Sequence, residues 1–204
     1  MKKKRNETDL FTKNQEKQTN NFQVFISMLR GINVSGQKKI LMADLKDLYE
    51  KLGFKNVTTY IQSGNVIFKS NEKLPDTELA KKIEEAIHKK YDFEVAVIIR
   101  GKEEMKKILS SNSFLKEKNS DPKRLYVTFL SEFPVKENVE SIENIDFSPD
   151  KFIIIEKEIY IYVPNGYGET KIPNNFFEKK LKVKATTRNW NTVNKLSDLA
   201  SNSK

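Results

Sequence analysis

The order in which hydrophobic periodicity changes between Phe22 and Arg100 constrains this chain more than any other feature. "FQVFISML", Phe22 to Leu29, is a largely apolar run of the kind a buried inner strand carries. Met42, Leu45, Leu48 and Leu52 then recur at three- and four-residue steps, the apolar stripe of an amphipathic helix. Gly53 stands where a left-handed residue usually ends such a helix. "VTTYIQ" and "NVIFKS" are two β-prone runs around Ser63-Gly64, which spells a hairpin. Pro75 opens a second helix in its favoured first-turn position, with Leu79, Ile83, Ala86 and Ile87 on the inner face. "FEVAVIIR", Phe93 to Arg100, closes the series as a strand. Strand, helix, strand, strand, helix, strand is the split βαβ order of a ferredoxin-like unit, whose helices cover one face of an antiparallel sheet.

The rest of the chain echoes that order. A linking helix, Lys102 to Leu109, leads to the strand "RLYVTFL" and a short helix near Val135 to Ile142. "KFIIIEKEIYIYV" reads as two strands turning at Glu156 to Glu158, followed by a helix from Asn174 to Leu181. No further strand is apparent, and a helix from about Arg188 to Ala200 takes its place. The expected architecture is α+β: two ferredoxin-like halves, 22–101 and 102–204, the second lacking its last strand and ending in a helix. Residues 1–21 hold six basic and three acidic residues and almost nothing apolar. Such a segment cannot bury enough surface to order itself, so a flexible basic tail is expected there.

Composition removes several function classes. The chain has 204 residues and no Cys, hence no disulfide framework, cysteine zinc site or thiol nucleophile. No apolar run approaches the roughly 20 residues that span a bilayer, and the N-terminus lacks the apolar core of a secretory signal. A cytoplasmic protein without a membrane partner is expected. No grouping of His with carboxylates has metal-ligand spacing, and no cofactor motif is present. His88, the only histidine, lies off the apolar stripe of the second helix with no motif around it, so it is expected on the surface. The net charge of +9 would attract phosphate or nucleic acid, but a Lys- and Asn-rich composition produces the same excess without a binding role.

Three loops carry the polar chemistry. In "MLRGINVSGQKK", Gly31 and Gly36 have the glycine spacing of a phosphate-binding P-loop, but Gln37 occupies the lysine position and Lys38 the hydroxyl position. That excludes a nucleotide-hydrolysing P-loop. It leaves a looser anion nest of backbone N–H groups with Arg30 and Lys38, or a solvated strand-to-helix connection. "IQSGN" is first a hairpin tip; Gln62 and Asn65 would also meet Arg30 and Asn33 if the two loops lie at one sheet edge. In "TTRNWNT", Thr187 or Asn189 can cap the last helix, whose N-terminus favours anions, and Arg188 suits a bidentate grip on a carboxylate or phosphate. Trp190 shares a helical face with Val193, Leu196 and Leu199, which points to packing. Lys171, after the "NGYGET" loop, is placed to swing onto a bound anion. Tyr126 and Phe129 mimic the end of an RNA-recognition strand, but alternation puts them on opposite faces, so they cannot both stack on bases.

The expected site therefore comprises Arg30, Asn33, Lys38, Gln62, Asn65, Lys171, Arg188 and Asn189. The two arginines would pair with the ligand's charge, the three amides at 33, 62 and 65 would orient its polar edges, and Asn189 would present the helix N-terminus. The ligand would be an anionic small molecule or nucleotide. Sequence-tolerant nucleic-acid binding and a purely non-catalytic interaction module are the rival readings. No nucleophile or general base stands out, so the sequence leaves open whether the protein is an enzyme, and it leaves its oligomeric state open too.

Three stretches also resemble, together and in order, the signatures of a bacterial family known as domain-of-unknown-function family 1697: "LRGINVSG", "TYIQSGNVIF" and "ATTRNWNTVNKL". "DPKRLYVTFL" and "IYIYVPNGYGETK" are similar to its middle segments. Ser35 replaces the first of two glycines usual in the family's loop, and Thr170 stands where Ser is common. The resemblance implies a two-part α+β fold and no particular reaction.

Overall fold

Both faces of the first strand are buried, and the reason lies in its neighbours. In the computed structural model, which describes residues 22–118 and 120–203, β1 (Gln23–Leu29) sits inside a four-stranded antiparallel sheet. Phe25 and Leu29 point into a core beneath two helices, α1 (Met42–Lys51) and α2 (Asp76–Tyr91). Ile26 and Met28, on the opposite face, enter a second core. With β2 (Lys55–Tyr60), β3 (Asn65–Ser70) and β4 (Val97–Gly101), the strand order is β2-β3-β1-β4.

The remaining elements repeat the pattern. After α3 (Lys102–Ser110) come β5 (Leu125–Leu130), α4 (Lys136–Glu143), β6 (Lys151–Ile155), β7 (Glu158–Tyr162), α5 (Asn174–Leu181), β8 (Ala185–Asn189) and α6 (Trp190–Ser201). Their sheet is antiparallel, with order β6-β7-β5-β8, the same order reached by the same succession of elements. The fold is thus mixed α+β, with two four-stranded antiparallel sheets and six helices among the described residues.

Three expectations need correction. The second sheet does have its last strand: β8 pairs with β5 from Ala185 opposite Leu130 to Asn189 opposite Tyr126. It is a short edge strand whose residues are mostly polar, so its sequence imitates a capping loop; only Thr186-Thr187 carries the β-branched signal. Accordingly α6 begins at Trp190, two residues later than expected. β4 begins at Val97, because Phe93 stays with the end of α2 and stacks on Tyr91 with ring centroids 5.7 Å apart. The basic tail expected over residues 1–21 lies outside the described residues.

Between the sheets lies the second core, where Ile26, Met28, Ile67 and Ile98 of the first sheet approach Leu125, Val127, Phe129 and Tyr160 of the second. α3 contributes Met105 and Ile108, and α6 contributes Trp190, Val193, Leu196 and Ala200. Trp190 is therefore a packing residue, as its helical spacing indicates. Tyr126 packs against a third core, built around Leu130, Ile159, Ile161 and Phe177 on the other face of β5 from Phe129, so the two rings do fall on opposite sides. The outer edges of the two sheets differ. β2 carries a register irregularity between Lys55 and Thr58 and a left-handed residue, Asn56, whereas β6 pairs with β7 without interruption.

One polar tie joins the sheets from the end of β4. Arg100 is 1% exposed. Its Nε donates to Glu158 Oε1 (2.7 Å), one terminal nitrogen to the carbonyl of Leu130 (2.8 Å) and, more weakly, that of Lys157 (3.2 Å), and the other to Ile99 O (2.8 Å). Burial pushes the Glu158 carboxyl above its ordinary range, and Arg100 pulls it back. Removing one member of a buried pair leaves the other uncompensated, which typically costs about 3–5 kcal/mol. Arg100→Met is expected to destabilise the protein by that amount in urea unfolding. Glu158→Gln, which keeps an acceptor for Nε, is expected to cost less than half as much.

Candidate functional site

The connection between β1 and α1 is held by one amide. Asn33 takes a left-handed backbone (φ 56°), a conformation Asn tolerates. Its Oδ1 accepts from the Ile40 N–H, and its Nδ2 donates to the carbonyls of Ile40 and Gln62, each at 2.9 Å. The loop is thereby fastened to the tip of the β2–β3 hairpin. Gly64 makes the fit possible. At φ +76°, a Cβ there would lie 2.6 Å from Ile32 Cδ1 and 2.8 Å from Leu29 Cβ. The Leu29 N–H closes the junction by donating to Gly64 O (2.8 Å).

Arg188 reaches this junction from β8. Its five guanidinium hydrogens face five acceptors. Nε donates to Asn65 Oδ1 (2.6 Å), one terminal nitrogen to Leu29 O (2.8 Å) and Ser63 O (3.1 Å), and the other to Thr186 Oγ1 (2.8 Å) and Thr187 O (3.0 Å). No carboxylate is among them, and burial lowers the guanidinium pKa to about 10. Asn65 is equally occupied, since its Nδ2 donates to Tyr60 O and Ser63 Oγ (both 3.1 Å). Arg188 is therefore the counterpart of Arg100. Each leaves the last strand of one sheet. Each donates to the final carbonyl of the other sheet's first strand (Leu29 or Leu130), to a carbonyl in its hairpin turn (Ser63 or Lys157), and to the side chain that follows the turn (Asn65 or Glu158).

This corrects the bidentate role expected of Arg188: none of its N–H groups is left for a ligand. Asn33 and Asn65 are likewise structural ties rather than ligand contacts. Asn189 caps α6, its Oδ1 accepting from the Thr192 N–H (2.8 Å). The Gln62 side chain is exposed above the hairpin tip and contributes only its carbonyl to the junction. Lys171 lies apart from these loops, with its backbone N–H donating to Asp150 Oδ2 (3.2 Å).

Arg30 and Lys38 go elsewhere, onto the wall of an open cleft of about 490 Å³. The Arg30 guanidinium, through Nη2, donates to Asn175 Oδ1 (2.8 Å) and pairs with Glu178 Oε2 (2.5 Å), both on α5. Its Nε is buried and makes no hydrogen bond among the described residues. Lys38 donates to the carbonyl of Glu94 (2.6 Å). Across the cleft, Lys184 pairs with Glu84 of α2 (3.2 Å). Glu84 and Glu178 use their other oxygens alike, accepting from the edge N–H of Val97 (2.8 Å) and of Ala185 (3.0 Å). Lys81, Glu84, Glu85 and His88 line the cleft from one face of α2. The cleft is polar but not basic: Arg30, Lys38, Lys81 and Lys184 are balanced by Glu84, Glu85, Glu94 and Glu178. Lys81, Glu84 and Glu85 are not among the residues that the sequence singles out, and His88 is expected only on the surface, although their i, i+3, i+4, i+7 spacing marks a second, polar stripe on that helix.

Fold and cleft define an α+β protein whose two sheets are pinned together by buried arginines, with a charged cleft at their junction. Residues 22–160 match the family described as "Protein of unknown function (DUF1697)", and the chain belongs to that family. Among solved structures, that of the conserved bacterial protein SP0830 from Streptococcus pneumoniae is similar, with 23% identity, 88% of this chain and 99% of that chain covered, and a TM-score of 0.69. That likeness is one of fold. No curated protein matches the chain.

Two substitutions test the junction. Arg188→Ala strands Asn65 Oδ1 and the carbonyls of Leu29 and Ser63, and is expected to cost about 3–5 kcal/mol in urea unfolding. Asn33→Ala removes three hydrogen bonds in a half-exposed loop. It is expected to cost about 1–3 kcal/mol and to speed exchange of the Ile40 amide hydrogen.

Proposed function

We propose that this protein binds a small ligand bearing a carboxylate or phosphate in the cleft between the two sheets, with Arg30 as its anchor. The observation that carries this reading is the state of Arg30. Nη2 is fixed by Glu178 and Asn175, while Nη1 makes no hydrogen bond among the described residues and the side chain, 34% exposed, lines about 490 Å³ of open volume. A guanidinium held in place with donors uncommitted is well suited to grip a planar or tetrahedral anion. Lys38 and Lys81 lie on the same cleft and add positive charge. Of the eight residues singled out in the sequence, Arg30 and Lys38 belong to this site. Asn33, Gln62, Asn65 and Arg188 belong to the loop–hairpin junction and do not line the cleft, and Asn189 and Lys171 are outside it too.

The same reading takes 22–101 and 102–204 as two ferredoxin-like halves related by duplication. The shared strand order and the reciprocal arginine ties support it. It also takes the protein to be bacterial and cytoplasmic. No helix among the described residues is long and apolar enough to cross a membrane, and the chain has no cysteine. Nucleic-acid binding is the weaker reading, because the cations of the cleft are matched one for one by carboxylates and form no basic tract along which a phosphate backbone could run.

A thermal-shift screen of phosphate- and carboxylate-bearing metabolites tests the proposal. A ligand at about 100 times its Kd adds about 2.7 kcal/mol of stability. Arg30→Gln is expected to abolish that gain, whereas Lys171→Gln leaves it intact. Short RNA is expected to give no shift. Stabilisation by RNA that fades steeply with added salt would replace this reading with the nucleic-acid one.

A further inference from the structure

The charges of the cleft fall into two groups. Arg30 is paired with Glu178, and Lys184 with Glu84. Lys38, Lys81, Glu85 and Glu94 have no ion pair among the described residues: two cations and two carboxylates lining one cleft. Lys38 donates only to a backbone carbonyl. The side chains of Lys81, Glu85 and Glu94 make no hydrogen bond or ion pair among the described residues, although Lys81 and Glu85 stand one turn apart on α2. A ligand of purely negative charge would satisfy the cations and press against two unanswered carboxylates. A purely positive one would do the reverse. A ligand carrying both charges answers both.

We infer that the cleft takes a dipolar small molecule, one with an ammonium group as well as a carboxylate or phosphate. This rests on the reading of the cleft as the ligand site and narrows the ligand's class. Arg30 and Lys81 receive the anionic group; Glu85 and Glu94 receive the ammonium. The Arg30–Glu178 pair keeps the guanidinium oriented, and the Lys184–Glu84 pair removes one cation and one carboxylate from competition.

Matched probes, titrated into the full chain and followed by amide chemical shifts, test the inference. 6-Aminohexanoate is compared with hexanoate and hexylamine, and O-phosphoethanolamine with methyl phosphate and ethanolamine. The first set carries a carboxylate and the second a phosphate, so the two anion types are distinguished. At least one dipolar probe is expected to bind about tenfold tighter than both of its singly charged partners, the scale of two exposed ion pairs. The double variant Glu85→Gln, Glu94→Gln alters only exposed side chains and is expected to bring that probe down to the affinity of its anionic partner. Arg30→Gln is expected to weaken the dipolar and anionic probes alike. If hexanoate and methyl phosphate each bind as tightly as their dipolar relatives, the inference falls and the anionic reading stands. If the amines alone bind as well as the dipolar probes, or no probe moves the amides of residues 30, 38, 81 and 94, both fall.

Discussion

A buried guanidinium must find acceptors for five hydrogens, and in this protein that requirement holds two sheets together. Arg100 and Arg188 are both more than nine-tenths buried, and each finds acceptors on the opposite sheet at matching places. The first strand ends there with a buried backbone carbonyl, the hairpin turn offers another, and the residue after the turn supplies a side-chain oxygen. The ties fix how the sheets approach, so the apolar core between them can close in one arrangement. Dispersion and burial supply most of the stabilisation at that interface. Hydrophobic contact, however, is non-directional, and the two arginines give it a register.

The cleft follows from the same arrangement. Because β4 and β8 are both edge strands, each presents backbone N–H groups that no neighbouring strand takes up. α2 and α5 cover these edges with Glu84 and Glu178, whose second oxygens reach Lys184 and Arg30 on the other side of the junction. Two carboxylates thus seal two strand edges and line a polar opening at once. Half of the cleft's balanced charge, the Glu84–Lys184 and Glu178–Arg30 pairs, comes with sealing the fold, so the chain's net positive charge says little about it.

How much of this could be read from the sequence depends on the distance over which each feature is decided. Helix and strand positions are set by local periodicity, and nearly all emerge at the right places, including the hairpin at Ser63-Gly64 and the helix from Asn174. β8 does not, because a five-residue edge strand rich in threonine lacks an apolar alternation. The Asn33 loop does meet the Gln62 turn, but through the Gln62 backbone carbonyl and not through the side-chain amide that marks it in the sequence. The fate of Arg188 was not legible. Its sequence context says that it will bind oxygens, but Asn65 lies 123 residues away, and nothing local tells a protein acceptor from a ligand. The polar stripe of α2 was visible in principle. It went unread because a charged helix face is ordinarily just the solvated one.

The unequal outer edges have a further consequence. β2 is bent by its irregularity at residues 55 to 58, and Thr58 and Thr59 give it a polar surface. β6 runs straight through Phe152, Ile153, Ile154 and Ile155, and Ile153 is 36% exposed. An unbroken apolar edge is a template on which a partly unfolded neighbour can add a strand. The two-sheet architecture is therefore lopsided in its colloidal behaviour: one flank resists fibril-like stacking, and the other relies on Lys151 and Glu156 at its two ends to discourage it.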